Sequence, residues 1–212
     1  MPGTAPSGRT RDAARSREAI LDAAEALFAG HGYDATSLHD IGQRAGVSRG
    51  TPGYFFRSKE RLYQAVLARV FAAELDLVAQ AQEHAVATGG GPLAELTAAI
   101  ESFLDFLAAR PTFVQLIERE ALTGGQSLRD TPAHTAAMEA ALATTVDILA
   151  RGPFRAVDPA LFLLDLLALC WFPFAHADTF ARGLGLDATD PSFVAARKRH
   201  VVDFLLRGAR AG

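Results

Sequence analysis

Between Ser37 and Gly46 the chain carries a helix start and a helix stop with room for only about two turns, and Ser48 offers another start two residues later. The Ser37 hydroxyl can accept from the backbone N–H groups of a first turn, and Asp40 suits the positive end of that helix. Leu38, Ile41 and Ala45 then fall inward. Gly46 permits the positive φ of a sharp turn, and Val47 is placed to bury itself under the helix pair. Two short helices joined by about three residues that include a glycine are the pattern of a helix-turn-helix. On this pattern alone a DNA-reading element and a structural helical corner both fit.

Everything around it reads as helix. Val, Ile and Thr are scattered with no lasting alternation, whereas Ala, Leu and Glu recur at helical spacing. From Arg11 to His31, Ile20, Ala24, Leu27 and Phe28 form one stripe, with Arg15, Glu18, Asp22 and Glu25 largely elsewhere, and Gly30 and Gly32 stop the helix. Ser58 can cap a long fourth helix with Leu62, Val66, Val70 and Leu77 along its stripe. After Gly89–Gly91, Pro92 suits the first turn of a helix reaching Ala109. Pro111 opens the next helix, which Gly124 and Gly125 close. Thr131 caps one from Pro132 to Arg151, Asp158 caps the apolar helix, and Asp190 caps a last helix ending near Gly208.

Composition narrows the function classes. Half of the 212 residues are hydrophobic, enough for a substantial core. Residues 1–10 are rich in Pro, Gly, Ser and Thr and read as a disordered arm. The apolar run from Ala156 to Ala175 is interrupted by Asp158, Pro159, Asp165 and Pro173, so a buried helix is expected rather than a membrane span. Cys170 is the sole cysteine, which leaves no internal disulfide. Together these features predict a soluble cytoplasmic protein. The net charge of −3 conceals an excess of basic residues up to Arg69, ten against seven acidic, and the remainder is acidic.

The stretch REAILDAAEALFAGHGYDATSLHDIGQRAGVSRGTPGYFFRSKERLYQAVL, from Arg17 to Leu67, resembles the DNA-binding region of the TetR family of transcriptional regulators. The matching features are Ile-Leu-x-Ala-Ala, Leu-Phe, Gly-Tyr-x-Ala-Thr, Ala-Gly-Val-Ser, the Gly-Thr and aromatic pair, and Ser-Lys-Glu-x-Leu, in order and at the right spacing. The resemblance implies an all-α protein. A three-helix helix-turn-helix domain over residues 11–67 would be joined by a long helix to a C-terminal helical ligand-binding and dimerisation domain over residues 68–212.

The same resemblance implies a set of DNA contacts. Ser48, Arg49, Gly50 and Thr51 belong to the recognition element, Tyr54 is either a DNA-facing hydroxyl or a packed aromatic, and His39 faces the groove from the second helix. Thr36, Ser37 and Lys59 match phosphate-holding positions. Arg can bind guanine O6 and N7 bidentately, and a helix start attracts phosphate. Pro52-Gly53 stands where the family commonly has Leu-Tyr, and Phe55 stands where it often has Tyr or His. The proline leaves two starts open for the recognition helix, at Ser48 or at Thr51.

By the same likeness the protein is a repressor that binds a palindromic operator as a homodimer and is released by a small hydrophobic effector. Its subunits would pair through residues 159–181 and 191–206, with Phe193, Val194, Val201, Phe204 and Leu205 on the stripe. Residues Arg197 to His200 would form a solvated face. Candidate effector contacts are Phe103, Phe106, Phe113, Ile117, Met138, Trp171, Phe174 and His176, with Glu118 or Glu120 as polar anchor; ordinary core packing is the other reading of each. No cofactor, metal or membrane partner is expected. A helical adaptor that does not bind DNA remains a competing reading. An enzyme is a weaker one, because G-x-S-x-G, Walker, H-E-x-x-H and dinucleotide-binding patterns are absent and the six histidines are dispersed.

Overall fold

The computed structural model describes residues 8–210, with side chains from Arg11 onward. Ten α-helices account for the regular structure among them: α1 Gly8–His31, α2 Leu38–Arg44, α3 Thr51–Phe56, α4 Lys59–Ala87, α5 Pro92–Ala109, α6 Pro111–Leu122, α7 Gln126–Arg129, α8 Pro132–Arg151, α9 Pro159–Ala175 and α10 Pro191–Ala209. A five-residue π-helical segment, Ala177–Ala181, follows α9. The all-α expectation therefore holds. Residues 1–7 of the expected arm lie outside the described residues, while Gly8–Thr10, also assigned to it, open α1.

The chain divides into two compact units. The first comprises residues 1–69 and 115–131, the second residues 70–114 and 132–212. The first thus takes in a segment that the sequence reading placed wholly in the C-terminal domain. Polar bonds between distant parts of the chain explain why. Arg119 of α6 donates from Nε to the Ala29 carbonyl at 2.6 Å and from Nη2 to that of Gly30 at 2.5 Å, satisfying backbone acceptors at the end of α1. The buried Tyr63 hydroxyl donates to Glu120 Oε1 at 2.7 Å, and Gln64 Nε2 donates to the Ser127 carbonyl at 3.2 Å. None of these pairings has a periodic signal.

In the first unit α1 packs on α2 and α3. Ile20, Ala24 and Phe28 of α1, Ile41 of α2, and Leu62 and Val66 of α4 are fully buried, as their spacing predicts. Removing each of the larger ones from water contributes about 1.5–3 kcal/mol. Leu27 is only half-buried. Glu25, read as lying largely off the apolar stripe, is buried and joined to Arg69 Nη2 at 2.6 Å, while Arg69 Nη1 reaches Asp22 at 2.7 Å.

In the second unit α5 packs against α8, α9 and α10. Ile100, Leu104, Ile148, Cys170 and Val201 lie in its core. Phe106, Phe113 and Trp171 stack edge to face, with ring centroids 5.2 Å and 5.6 Å apart, and Phe71 meets Phe113 at 5.5 Å. The stripe of α4 runs here through Val70, Glu74 and Val78, whereas Leu77 is exposed. Arg197 and Lys198 also depart from the expected solvated face. Both are turned inward, Arg197 onto the Leu169 carbonyl and Lys198 onto Asp105 at 2.5 Å. The expected helix 159–181 is α-helical only to Ala175: Pro173 interrupts its hydrogen bonding, and the π turn follows.

Candidate nucleic-acid interface and interior cavity

The helix-turn-helix is held by local chemistry at every joint. Ser37 is the N-cap of α2: its Oγ accepts from the Asp40 N–H at 3.2 Å, and Asp40 Oδ2 accepts from the Ser37 N–H at 3.1 Å and from its hydroxyl at 2.6 Å. These bonds from Ser37 side chain and backbone hold the Asp40 carboxyl below the usual carboxylate range. At the other end Gly46 has φ +67°, the Val47 N–H donates to the Gly42 carbonyl at 3.0 Å, and the Gly46 N–H to that of Gln43 at 3.2 Å. This pair of bonds is a Schellman stop, and it sets the turn.

The recognition helix is the shorter of the two alternatives. It begins at Thr51 with Gly50 as N-cap, so Ser48, Arg49 and Gly50 lie in the connection. The Thr51 N–H donates to the Ser48 carbonyl at 2.9 Å, and the two hydroxyls lie 2.7 Å apart. Pro52 occupies the second helical position, where an absent N–H breaks no intrahelical bond. Its ring is buried against α2: a Cβ on Gly42 would stand 3.3 Å from Pro52 Cγ. Pro52 and Gly42 therefore form a matched pair that lets the helices approach. The sequence reading used Pro52 to weigh the two helix starts and did not pair it with Gly42.

His39, Ser48, Arg49 and Gly50 are all exposed, and Tyr54 is 83% exposed with its ring edge-on to Phe55. Ser37 is exposed as well, and Thr51 is half-buried. Cβ atoms at Gly50 and Gly53 would meet open space. Phe56 is core, with Arg17 stacked over its ring at 5.1 Å. Two expected phosphate contacts are turned into the domain. Thr36 is 2% exposed and its hydroxyl donates to the Gly32 carbonyl at 2.8 Å, fastening the α1–α2 connection. Lys59 Nζ donates to the Tyr33 carbonyl at 3.0 Å and sits 4.2 Å above that ring. Arg44, Arg57 and Arg61 are exposed basic residues the sequence reading passed over; their signal was charge near helix ends.

The second unit holds a part-open cavity of about 140 Å³ between α4, α5, α8 and α9. Its walls include Val78, Leu96, Ile148, Leu163 and Leu166, and the polar groups among them are Glu74, Gln82, Thr144 and Thr145. Of the eight expected effector contacts, Phe103 alone lines it. Phe106, Phe113 and Trp171 belong to the aromatic core, and His176 packs on Phe172 at 4.5 Å. Met138 and Phe174 are half-buried outside the lining, and Ile117 falls in the first unit. Glu120, offered as an anchor, is bonded to Tyr63 in the first unit, and Glu118 also lies in that unit. Aromatic side chains filled the core, and the space was left where Ala79, Ala99, Ala140 and Ala141 meet.

Glu74 is the charged residue the sequence reading missed. Its signal was legible: Leu62, Val66, Val70, Glu74 and Val78 recur every four residues, which places a carboxylate on an otherwise apolar stripe. Burial pushes that carboxyl up to about 7.

Comparison with known proteins converges on one family. Residues 20–66 match the bacterial regulatory proteins of the tetR family, and residues 92–205 match the tetracyclin repressor-like C-terminal domain. The HTH-type transcriptional repressor NicS of Pseudomonas putida is 26% identical over 207 residues, covering 95% of this chain and 96% of NicS. The HTH-type transcriptional regulator RutR of Escherichia coli K12 is 30% identical over 175 residues, 82% of this chain and 78% of RutR. Among solved structures, SCO4942 from Streptomyces coelicolor superposes with a TM-score of 0.70 at 26% identity, over 92% of this chain and 98% of that one. The ketosteroid transcriptional regulator KstR2 of Mycobacterium tuberculosis shares the fold, with a TM-score of 0.67 at 22% identity over 92% of this chain and 95% of that one. With its C-terminal match covering more than half of the chain behind a capped and turned helix-turn-helix, this protein belongs to the TetR family and is a transcriptional regulator.

Proposed function

We propose that the protein is an effector-responsive repressor that binds a palindromic operator as a homodimer in the cytoplasm. The observation that carries this reading is the α2–α3 element, whose capping box and Schellman stop present Arg49 and Tyr54 to the outside. Arg49 and Thr51 supply discrimination between bases. His39 and Tyr54 border the groove, while Ser37 and Ser48 hold phosphates. Gly50 and Gly53 let backbone approach the DNA closely.

Dimerisation would use the apolar side chains that α9, the π segment and α10 leave uncovered: Leu161, Leu164, Phe172, Phe180 and Phe204 are each about half exposed or more. Two copies are needed because a palindromic operator presents its half-sites about 34–36 Å apart, or a multiple of that. An effector in the second unit's cavity lowers operator affinity only by the difference between its affinities for the free and DNA-bound forms.

The test is a mobility-shift series on DNA upstream of the protein's own gene at increasing salt. Binding that weakens steeply with salt and is lost in Arg49→Ala supports the reading, because phosphate contacts release counterions. Salt-insensitive or absent binding on every fragment overturns it.

A further inference from the structure

The buried carboxylates Glu25, Glu95 and Glu120 each pair with another side chain. Glu95, in the second unit, receives Arg151 Nη1 at 3.0 Å and Nη2 at 2.6 Å. Glu25 has Arg69, and Glu120 has the Tyr63 hydroxyl. Glu74 is part-buried on the apolar stripe of α4 and lines the cavity, yet among the described residues no hydrogen bond or ion pair joins it. Among the described residues it is also the only charged one lining that cavity; from α4, α5, α8 and α9 the other polar groups are Gln82, Thr144 and Thr145, and the Thr145 hydroxyl is bonded to the Ala141 carbonyl at 2.8 Å. An unpartnered carboxylate in an apolar wall carries a desolvation cost that a cationic ligand would relieve.

We propose that this cavity is a site for a small organic amine, whose protonated nitrogen pairs with Glu74 and whose apolar body fills the space left by Ala79, Ala99 and Ala141. Size suits a small body: about 140 Å³ is close to the volume of an engineered protein cavity that takes up benzene, so one ring or a short branched chain fits. Charge limits the head group. Anionic ligands meet Glu74 with repulsion, and neutral alcohols gain a hydrogen bond without the charge. Burial raises the free carboxyl to about 7, so near neutral pH amine binding drives Glu74 to release a proton to solvent. The inference rests on the effector reading above for its biological meaning, but the binding itself is measured without DNA.

The experiment is calorimetric titration of the full chain, free of DNA, at about pH 8 with benzylamine, benzyl alcohol and benzoate in turn. Benzylamine is expected to bind at least about tenfold more tightly than benzyl alcohol, with no binding of benzoate. Glu74→Gln should erase the preference for the amine over benzyl alcohol. It removes a part-buried, unpaired charge, so its thermal midpoint should not fall. Ala99→Leu, which fills the cavity, should weaken both ligands. Equal affinity for amine and alcohol, amine preference that survives Glu74→Gln, or no binding of the amine overturns the proposal. Those outcomes leave operator binding untouched, just as a failed mobility shift leaves this site untouched.

Discussion

Arg197 closes the gap that Pro173 opens. Pro173 lies inside α9 and has no N–H to give the carbonyl four residues back, that of Leu169, and Arg197 Nη2 of α10 donates to that oxygen at 2.5 Å. Burial holds the guanidinium below its usual range, and the neighbouring Cys170 thiol is pushed up to about 12 by its own burial. Replacing Arg197 with Met should therefore strand a backbone acceptor and cost about 1–3 kcal/mol in urea unfolding. In a Pro173→Ala background the restored N–H can take the carbonyl, so the same replacement should cost much less. Equal costs in the two backgrounds would show that the coupling is absent.

Glu74 predicts a pH profile of stability. The folded carboxyl is raised to about 7 by burial, above its unfolded value, so between those values the folded chain holds a proton that the unfolded chain has released. Stability should fall as pH rises from about 4.5 to about 7, by at most about 3 kcal/mol from this group, and then level off. Thermal unfolding of Glu74→Gln across that window should be flatter and, above about pH 7, higher than that of the wild type.

Gly42 and Gly53 sit on neighbouring helices and should respond in opposite ways. A side chain on Gly42 meets the Pro52 ring, so Gly42→Leu should destabilise the first unit by about 1–3 kcal/mol and abolish operator binding. A side chain on Gly53 meets open space. Gly53→Tyr, the common residue of the family, should leave the unfolding midpoint nearly unchanged and shift preference across a randomised operator library.

Tyr63 donates to Glu120 inside the first unit, and burial together with that bond drives its phenol well above the usual range. Tyr63→Phe should cost about 2–3 kcal/mol, because a buried carboxylate loses its hydrogen-bond donor. Adding Glu120→Leu should recover most of that loss, since both polar partners are then gone. Chemical denaturation of the two variants decides the point.

Phe172 and Phe204 are 48% and 58% exposed, an unusual setting for phenylalanine unless another surface covers it. Phe204→Glu should shift the mass measured by light scattering to that of a monomer, with an unchanged helical circular dichroism spectrum and lost operator binding. A variant that remains dimeric places the subunit contact elsewhere.

Much of the fold was legible because its signals are local. Capping residues Ser37, Asp158 and Asp190, prolines 92, 111, 132, 159 and 191, and the glycine at position 46 each bias a few consecutive backbone dihedrals, and helices begin and end where they stand. The recognition helix was harder, because Ser48 and Thr51 both offer starts. The geometry of the Schellman turn and the fit of Pro52 onto Gly42 selected the later one. The effector contacts were least legible: hydrophobicity says that Phe106, Phe113 and Trp171 are buried, and burial is the same signal whether a side chain fills a core or lines a void.

By itself the sequence determined the all-α class, the boundaries of most helices and the DNA-reading element, since periodicity and capping act within a few residues. Tertiary structure alone decided that Thr36 and Lys59 turn inward, that Arg197 serves a carbonyl on another helix, and that the open space falls among alanines beside Glu74. Those outcomes depend on which side chains meet across helices far apart in the chain. Side-chain volumes and unpaired polar atoms settle only when the helices pack.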